Sequence, residues 1–334
     1  MNEKKLKFSI CMPTYNGEKW VGEAIRSILS QTYQPYEIII SDDCSTDNTL
    51  KTIKKFKDKR IRIYRNKKNL GYGENMRVLT SKAKGEVLFL MAQDDVLSPY
   101  ALQKTNDAFF LDEDVGAVAR PYYQFVDNVR KPVRVIFPYN EKKDVAINVL
   151  KDKKAIYTLF DAVGQLSGLA YLRRYLDTPF HHEVFPSHIY PFAATAKKHK
   201  IAFLKDYTVA VRIPSSQTRF KSSIYDISPT ESWIKMIKTV FDEPKYELAR
   251  KYALKQATKN FVGLVQIKNY SNYRNLIREI FILVKNRPLN LTNISFWFFS
   301  LGTLVIPRSI LRRLVDDFKN TVNARRYRNL QINF

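Results

Sequence analysis

The chain has 334 residues, 45% hydrophobic and 26% charged, which excludes a disordered or low-complexity protein and leaves room for two domains of ordinary size. Two cysteines, Cys11 and Cys44, exclude a disulfide framework and a structural zinc site built on thiolates alone. Lys and Arg exceed Asp and Glu by 24, and +13 of that excess lies in the last 90 residues, so a polyanionic partner is expected, either nucleic acid or an anionic membrane surface.

The opening Met1-Asn-Glu-Lys-Lys5 runs straight into a strand pattern with no apolar leader, so a cytoplasmic location is expected. Phe8–Met12, Glu37–Ser41, Val87–Met91 and, more weakly, Val115–Ala119 are short continuous apolar runs, as strands covered on both faces require, while Ile61–Tyr64 alternates. Between them, Val21, Ala24, Ile25, Ile28 and Leu29 recur at helical spacing, as do Leu50, Ile53 and Phe56, and then Met76, Leu79 and Ala83. Alternating strands and helices predict a parallel sheet with right-handed crossovers. Residues 120–215 are less regular and rich in aromatic side chains, with His181, His182 and His188 close together. Beyond Ile224 the pattern turns helical: Trp233, Met236, Ile237 and Val240 form one stripe and Leu248–Lys268 a longer helix. Ile294–Ile306 is apolar and aromatic but too short for the roughly 20 residues that span a bilayer, and basic residues flank it. It reads as a core helix or as an interfacial one, and the surrounding positive charge favours the membrane.

An open parallel sheet binds its ligand beyond the carboxyl ends of its strands. Three polar clusters stand there: Pro13-Thr14-Tyr15-Asn16-Gly17, Ser41-Asp42-Asp43-Cys44-Ser45-Thr46-Asp47, and Gln93-Asp94-Asp95. The first suits a stacked planar base, with the Tyr15 ring and the backbone around Pro13 and Thr14. Asp42 suits an imide N–H or a ribose hydroxyl. Asp94 and Asp95, adjacent at the end of a buried strand, repel one another unless a hard divalent cation such as Mn²⁺ or Mg²⁺ bridges them to a diphosphate. An aspartate after a strand is by itself more often a turn residue or helix cap; three such clusters in order are harder to read as turns.

These segments resemble the inverting glycosyltransferases of family 2. The likeness is carried by Ser9-Ile-Cys-Met-Pro-Thr-Tyr-Asn16, Ile25–Thr32, Glu37–Asp47, Asn69-Leu-Gly71 through Asn75, and Gly85-Glu86 leading to Gln93-Asp-Asp95, and it covers about the first 110 residues. It implies the GT-A (nucleotide-diphospho-sugar transferase) fold, an α/β Rossmann-like mixed sheet, here with a C-terminal helical region. It also implies a nucleotide-sugar site of Pro13, Thr14, Tyr15, Asn16, Asp42, Gly71, Asn75, Gln93 and Asp94, with Asp95 as ligand of Mn²⁺ or Mg²⁺. Gln93 stands where the family usually has an acid.

The family usually supplies its catalytic base from an acidic pair just before a helix and a short strand. Here that helix resembles Pro191–His199, followed by Ile201–Leu204, and the pair falls on Ser187-His188. His188 is the expected base, because imidazole titrates near neutrality, with Glu183 as the alternative. A structural histidine is the bland reading of His188. The spacing of His181, His182, Glu183 and His188 fits no common zinc signature. Pro214 replaces a histidine that the family often has, and Ser215–Arg219 resembles its mobile donor-side loop, with Arg212 or Arg219 placed to neutralise the diphosphate.

The expected organisation is a nucleotide-sugar half over residues 1–115, an acceptor half over 116–223 and a basic helical region over 224–334 that touches the membrane. The expected activity is inverting transfer from a UDP- or dTDP-sugar to a hydroxyl of a lipid-linked glycan in surface-polysaccharide synthesis, by a protein peripheral on the inner face of the cell membrane. The rivals are a nicotinamide enzyme, disfavoured because no Gly-x-Gly-x-x-Gly follows the first strand, and a non-enzymatic protein that binds nucleic acid or a membrane surface through its charge. No nucleic-acid recognition motif is present, and nucleic acid is not the expected partner.

Overall fold

The computed structural model describes residues 4–182, 186–213, 222–317 and, near the C-terminus, Tyr327, Leu330, Ile332 and Phe334. The chain divides into two compact units, Met1–Ile213 with Asn329–Phe334, and Pro214–Arg328.

Among the described residues the first unit holds an eight-stranded sheet in the order β3-β2-β1-β4-β10-β6-β11-β9. Its nucleus is β1 (Phe8–Thr14), β2 (Tyr36–Asp42), β3 (Ile61–Arg65) and β4 (Val87–Leu90), all parallel. Ile38, Ile39 and Ile40 of β2 are fully buried, as helices on both faces demand; each contributes roughly 1.5–3 kcal/mol as an upper figure. Helix α1 (Val21–Leu29) lays Val21, Ala24, Ile25 and Ile28 against this core, and α2 (Thr49–Ile53) and α3 (Tyr72–Ser81) complete the crossovers. Pro13 is tolerated near the end of a central strand because β4 pairs with β1 only as far as Cys11, so no ladder bond needs its missing N–H.

The sheet then changes direction. β10 (Ala170–Leu172) runs antiparallel between β4 and β6 (Val115–Ala119), β11 (Lys200–Phe203) lies parallel to β6, and β9 (Val145–Ile147) closes the edge. A four-stranded sheet, β5-β12-β7-β8, is formed by Val96–Leu97, Val209–Arg212, Tyr122–Phe125 and Arg134–Ile136. Between these strands lie α4 (Ala101–Ala108), α5 (Lys153–Ala162) and α6 (Ile189–Lys198).

The second unit is helical: α7 (Pro229–Val240), α8 (Glu247–Ala257), α9 (Val262–Tyr270), α10 (Tyr273–Asn286), α11 (Ile294–Val305) and α12 (Arg308–Asp317). Ser228 caps α7, Asn272 caps α10 and Asn293 caps α11, each accepting a first-turn N–H. The continuous helix expected over Leu248–Lys268 is broken. α8 ends at Ala257, where the Thr258 N–H and hydroxyl both donate to the Leu254 carbonyl, and Asn290 Nδ2 donates to the Thr258 carbonyl at 3.0 Å. The core here is Tyr225, Phe261, Leu264, Ile267, Leu276, Leu283 and Phe296.

Candidate active site

The parallel nucleus sets the ends of β1, β2 and β4 on one rim, since Thr14 is in register with Asp42 and Cys11 with Leu90. The three polar clusters therefore meet. The first two zip together through short bonds: the Asn16 N–H donates to Ser45 Oγ at 2.9 Å, the Gly17 N–H to Thr49 Oγ1 at 2.7 Å, and Asn16 Oδ1 accepts from the Thr46 N–H at 2.9 Å. Asn16 and Cys44 sit at φ 46° and 62°, left-handed conformations that asparagine tolerates better than most residues.

Asp42 is fully buried inside this seam. Its carboxylate accepts from the Ser45 hydroxyl at 2.5 Å, from the Ser45 N–H at 3.1 Å and from Thr14 Oγ1 at 3.3 Å, and lies 3.6 Å from Arg65 Nε. The group expected to read a base here shapes the loop. Asp43, which the sequence reading passed over, accepts from Asn66 Nδ2 and the Leu70 N–H at 2.8 Å and from the Gly71 N–H at 2.9 Å. It thereby hangs the start of α3 on β2, with Gly71 at φ 83° making the turn. Asn75 is a buried bracket rather than a surface contact: Oδ1 accepts from Ser41 Oγ at 2.7 Å, and Nδ2 donates to the Ser41 carbonyl at 3.0 Å.

Gln93 makes a two-point pair with the Tyr15 backbone, accepting its N–H and donating to its carbonyl, both at 3.0 Å. A carboxylate could accept but not donate, so the amide at this position has a physical reason. It joins the first loop to the Asp94–Asp95 turn, and a side chain on Gly17 would collide with it.

Asp95 is buried. The Ser167 hydroxyl donates to Oδ2 at 2.6 Å, and the Arg212 N–H donates to Oδ1 at 2.8 Å. Ser167 Oγ in turn accepts the Ala92 N–H at 2.9 Å, which aims its proton at Asp95. Burial, together with the Asp94 carboxylate beside it, pushes the Asp95 carboxyl up to about 8. Arg212, one of the two cations expected to neutralise the diphosphate, stands behind the aspartate turn with its guanidinium held by protein groups. Its Nε donates to the Asp94 carbonyl at 3.0 Å, it pairs with Glu23 at 2.6 Å, and it is packed 4.4 Å from the ring centres of Trp20 and Phe125, so it clamps the aspartate turn from behind. Arg120, also buried but not singled out from the sequence, donates to the carbonyl of Gly168, next to Ser167, at 2.9 Å and to Thr208 and Thr105 hydroxyls.

His188 stands at the start of α6. Its Nε2 lies 3.1 Å from the Val163 carbonyl and its Nδ1 3.0 Å from the Tyr72 hydroxyl. In the neutral tautomer with hydrogen on Nε2, Val163 accepts and Tyr72 donates, so both ring nitrogens are engaged. Burial pulls its pKa down to about 4. The backbone of His181 and His182 packs against Gly73, where an added Cβ would fall 2.2 Å from the His181 carbonyl oxygen. Glu183 and Arg219 lie outside the described residues.

Among the described residues no three His, Cys, Asp or Glu side chains converge as a metal cage. Asp94 and Asp95 are two adjacent carboxylates just beyond the end of β4. Such a pair is compatible with a divalent ion carried largely by phosphate oxygens and water, since Mg²⁺ is commonly held by one or two carboxylates plus substrate phosphates.

A mixed α/β sheet whose polar loops gather beyond one parallel strand rim, with an acidic turn at its centre, is the nucleotide-diphospho-sugar transferase architecture, GT-A. Residues 9–174, just under half of the chain, match the model of glycosyl transferase family 2 and form a domain of that family. It is 33% identical over 112 residues to the poly(ribitol-phosphate) beta-N-acetylglucosaminyltransferase TarS of Staphylococcus aureus, a match that covers 32% of this chain and 19% of the relative. It is 34% identical over 88 residues to WfgD of Escherichia coli, a UDP-Glc:alpha-D-GlcNAc-diphosphoundecaprenol beta-1,3-glucosyltransferase, covering 26% of this chain and 35% of that one. These matches span well under two thirds of the relatives. The fold is shared with the crystal structure of S. aureus TarS 1-349, at TM-score 0.62 and 19% identity over 97% of this chain and 92% of that one. It is shared with the Pyrobaculum calidifontis mannosyltransferase PcManGT in complex with GDP-Man and Mn²⁺, at TM-score 0.53 and 16% identity over 91% and 87%.

Proposed function

We propose that the protein transfers a sugar from a uridine diphosphate sugar to a hydroxyl of a glycan or polyol acceptor of a cell-surface polymer, with inversion at the anomeric carbon. The observation that carries the reading is the Gln93 bridge, which ties the Thr14-Tyr15 loop to the Asp94–Asp95 turn, so that a base-binding loop and a diphosphate-binding turn form one rigid ledge. The nucleotide is argued from fold relatives, TarS having been solved in complex with UDP and with UDP-GlcNAc. The acceptor class is argued from the names of TarS and WfgD, whose acceptors are a poly(ribitol-phosphate) and a lipid diphosphate-linked sugar.

Asp95 and Asp94 are the proposed holders of a divalent ion, which when bound supplies Lewis-acid stabilisation of the departing diphosphate. Tyr15 is proposed to flank the base, while Asp42, Asp43, Asn16, Gly71 and Asn75 keep the loops in place. In the transfer the acceptor oxygen bonds to the anomeric carbon, the bond from that carbon to the diphosphate oxygen breaks, and the acceptor proton passes to one base. Glu183 is proposed as that base in preference to His188, because Nδ1 of His188, the nitrogen with the available lone pair, already accepts from Tyr72.

The test is a binding titration of UDP, UDP-GlcNAc, UDP-glucose and GDP-mannose with and without Mn²⁺. Saturable, Mn²⁺-dependent binding of UDP compounds is expected. Preference for the guanosine nucleotide, or no nucleotide binding at all, would overturn the reading.

A further inference from the structure

We propose that the outer face of α11 is a docking surface for an anionic phospholipid bilayer, a function separate from the sugar-transfer site. The helix has two unlike faces. Phe296, Ser300 and Thr303 are buried toward the core of the second unit. Ile294, Phe298, Leu301 and Val305 recur at i, i+4, i+7 and i+11, one stripe, and are left in solvent: Ile294 is 85% exposed, Phe298 73% and Val305 77%. A run of large exposed apolar side chains on one helix is unlike the scattered single ones of an ordinary surface.

The charge around the stripe says what covers it. Over the helices from Glu247 to Asp317 the sequence has twelve Lys or Arg against four carboxylates, Glu247, Glu279, Asp316 and Asp317. Glu279 is buried, accepting from the Ser228 hydroxyl at 2.5 Å and the Thr230 N–H at 3.0 Å. The charge of this stretch is therefore predominantly positive, its other acids stand at the two ends, and Lys285 and Arg313 are among its exposed residues. A second copy of the chain would bring like charge against like charge. A nucleic acid would satisfy the cations and leave the aliphatic stripe wet. A bilayer surface with anionic headgroups satisfies both, apolar side chains entering the acyl boundary and cations lying at the phosphates. The helix lies on the bilayer and does not cross it: twelve residues reach about 18 Å against a hydrocarbon core of about 30 Å, and no helix among the described residues is long and apolar enough to span.

The experiment uses the full chain and sedimentation with sucrose-loaded vesicles of three parts phosphatidylcholine to one part phosphatidylglycerol, against phosphatidylcholine alone. Binding at least tenfold stronger to the anionic vesicles, weakened by salt, is expected. The triple variant Ile294→Ser/Phe298→Ser/Val305→Ser should lose it by 100-fold or more with an unchanged melting temperature, because none of the three is packed in the core. Lys285→Glu/Arg313→Glu, which alters no apolar contact, should weaken it by roughly tenfold or more, each cation near such a surface being worth about fivefold. Wild-type chain that ignores anionic vesicles, or a triple variant that binds as well as wild type, overturns the proposal. So does a concentration-dependent dimer that the triple variant converts to monomer, which would make the stripe a contact between copies. UDP titration of the same samples keeps a failure of docking distinct from a failure of the donor site.

Discussion

The strand rim and the stretch from Val163 to His188 use polar groups in opposite ways. On the rim each functional cluster follows directly on a strand, and most of its side chains are committed to one another: Asp42 to Ser45, Asp43 to Gly71, Asn75 to Ser41, Gln93 to Tyr15. In the later stretch the polar side chains reach back to the rim from scattered positions, Ser167 to Asp95 and His188 to Tyr72. The difference teaches that membership of a motif does not assign chemistry. A motif residue inside the seam is committed to holding a loop, whatever else it does.

The sharpest break of this division is at Asp95. Replacing Asp95 with Ala should lower transfer by about 10³-fold or more and abolish Mn²⁺-dependent UDP binding, the scale on which removing an electrostatic stabiliser acts. Metal-dependent UDP binding that persists in the variant would place the ion elsewhere. The same residue predicts a pH effect without metal. Its carboxyl is raised from 3.8 to about 8, so the folded chain holds a proton that the unfolded chain releases. Stability is then favoured below pH 3.8 and falls as pH rises toward 8 through this group, and Asp95→Asn should flatten that fall in urea melts.

Next comes the base. Glu183→Gln should cut turnover by roughly 10²-fold or more with UDP binding intact. His188→Gln should keep turnover within a few-fold of wild type and retain the acidic limb of the pH profile. The reverse outcome returns the base to His188 and requires the Tyr72 bond to open during transfer.

Gln93 tests the joint between loop and turn. Gln93→Glu keeps the acceptor for the Tyr15 N–H but loses the donor to its carbonyl and adds a third acid beside Asp94 and Asp95. The donor KM should rise about tenfold with kcat changed less, read from initial rates at saturating acceptor. An unchanged KM would mean that the bridge is incidental.

How far these roles could be read from sequence follows from the same division. The strands of the nucleus were legible because runs such as Ile38-Ile39-Ile40 leave no other way to bury them, and the rim followed from the strands. The acidic turn was legible because Gln93-Asp94-Asp95 follows closely on the buried run of β4. The assignment of Asp42 to a ligand was not secure, since nothing in Ser41–Asp47 says which carboxylate turns inward. Arg120 itself, and the partners of Arg212, were hidden for a related reason: a buried arginine is held by carbonyls, hydroxyls and rings from distant segments, such as Gly168 and Thr208 for the one and Trp20 and Phe125 for the other, and no local pattern encodes those. The break between α8 and α9 depends on Asn290, more than thirty residues downstream.

The smallest effect expected on activity is the most telling about His188. Held between Val163 and Tyr72, the ring has its pKa lowered from 6.5 to about 4 by burial, with the Val163 bond opposing part of the shift. The unfolded chain therefore takes up a proton that the folded chain refuses over that interval. The stability this group contributes is fully present above pH 6.5 and is lost as pH falls toward 4, with no further loss below, where both states are protonated. The effect is on the order of 1–3 kcal/mol. Chemical denaturation between pH 4 and 7 should show wild type losing stability over this interval and His188→Gln losing less, because an amide has no proton to gain. At pH 7.5 the two proteins should turn over alike. Equal acid sensitivity in the two would mean that His188 is not the group that titrates, and the ring would then have to be more open to water than its two bonds imply.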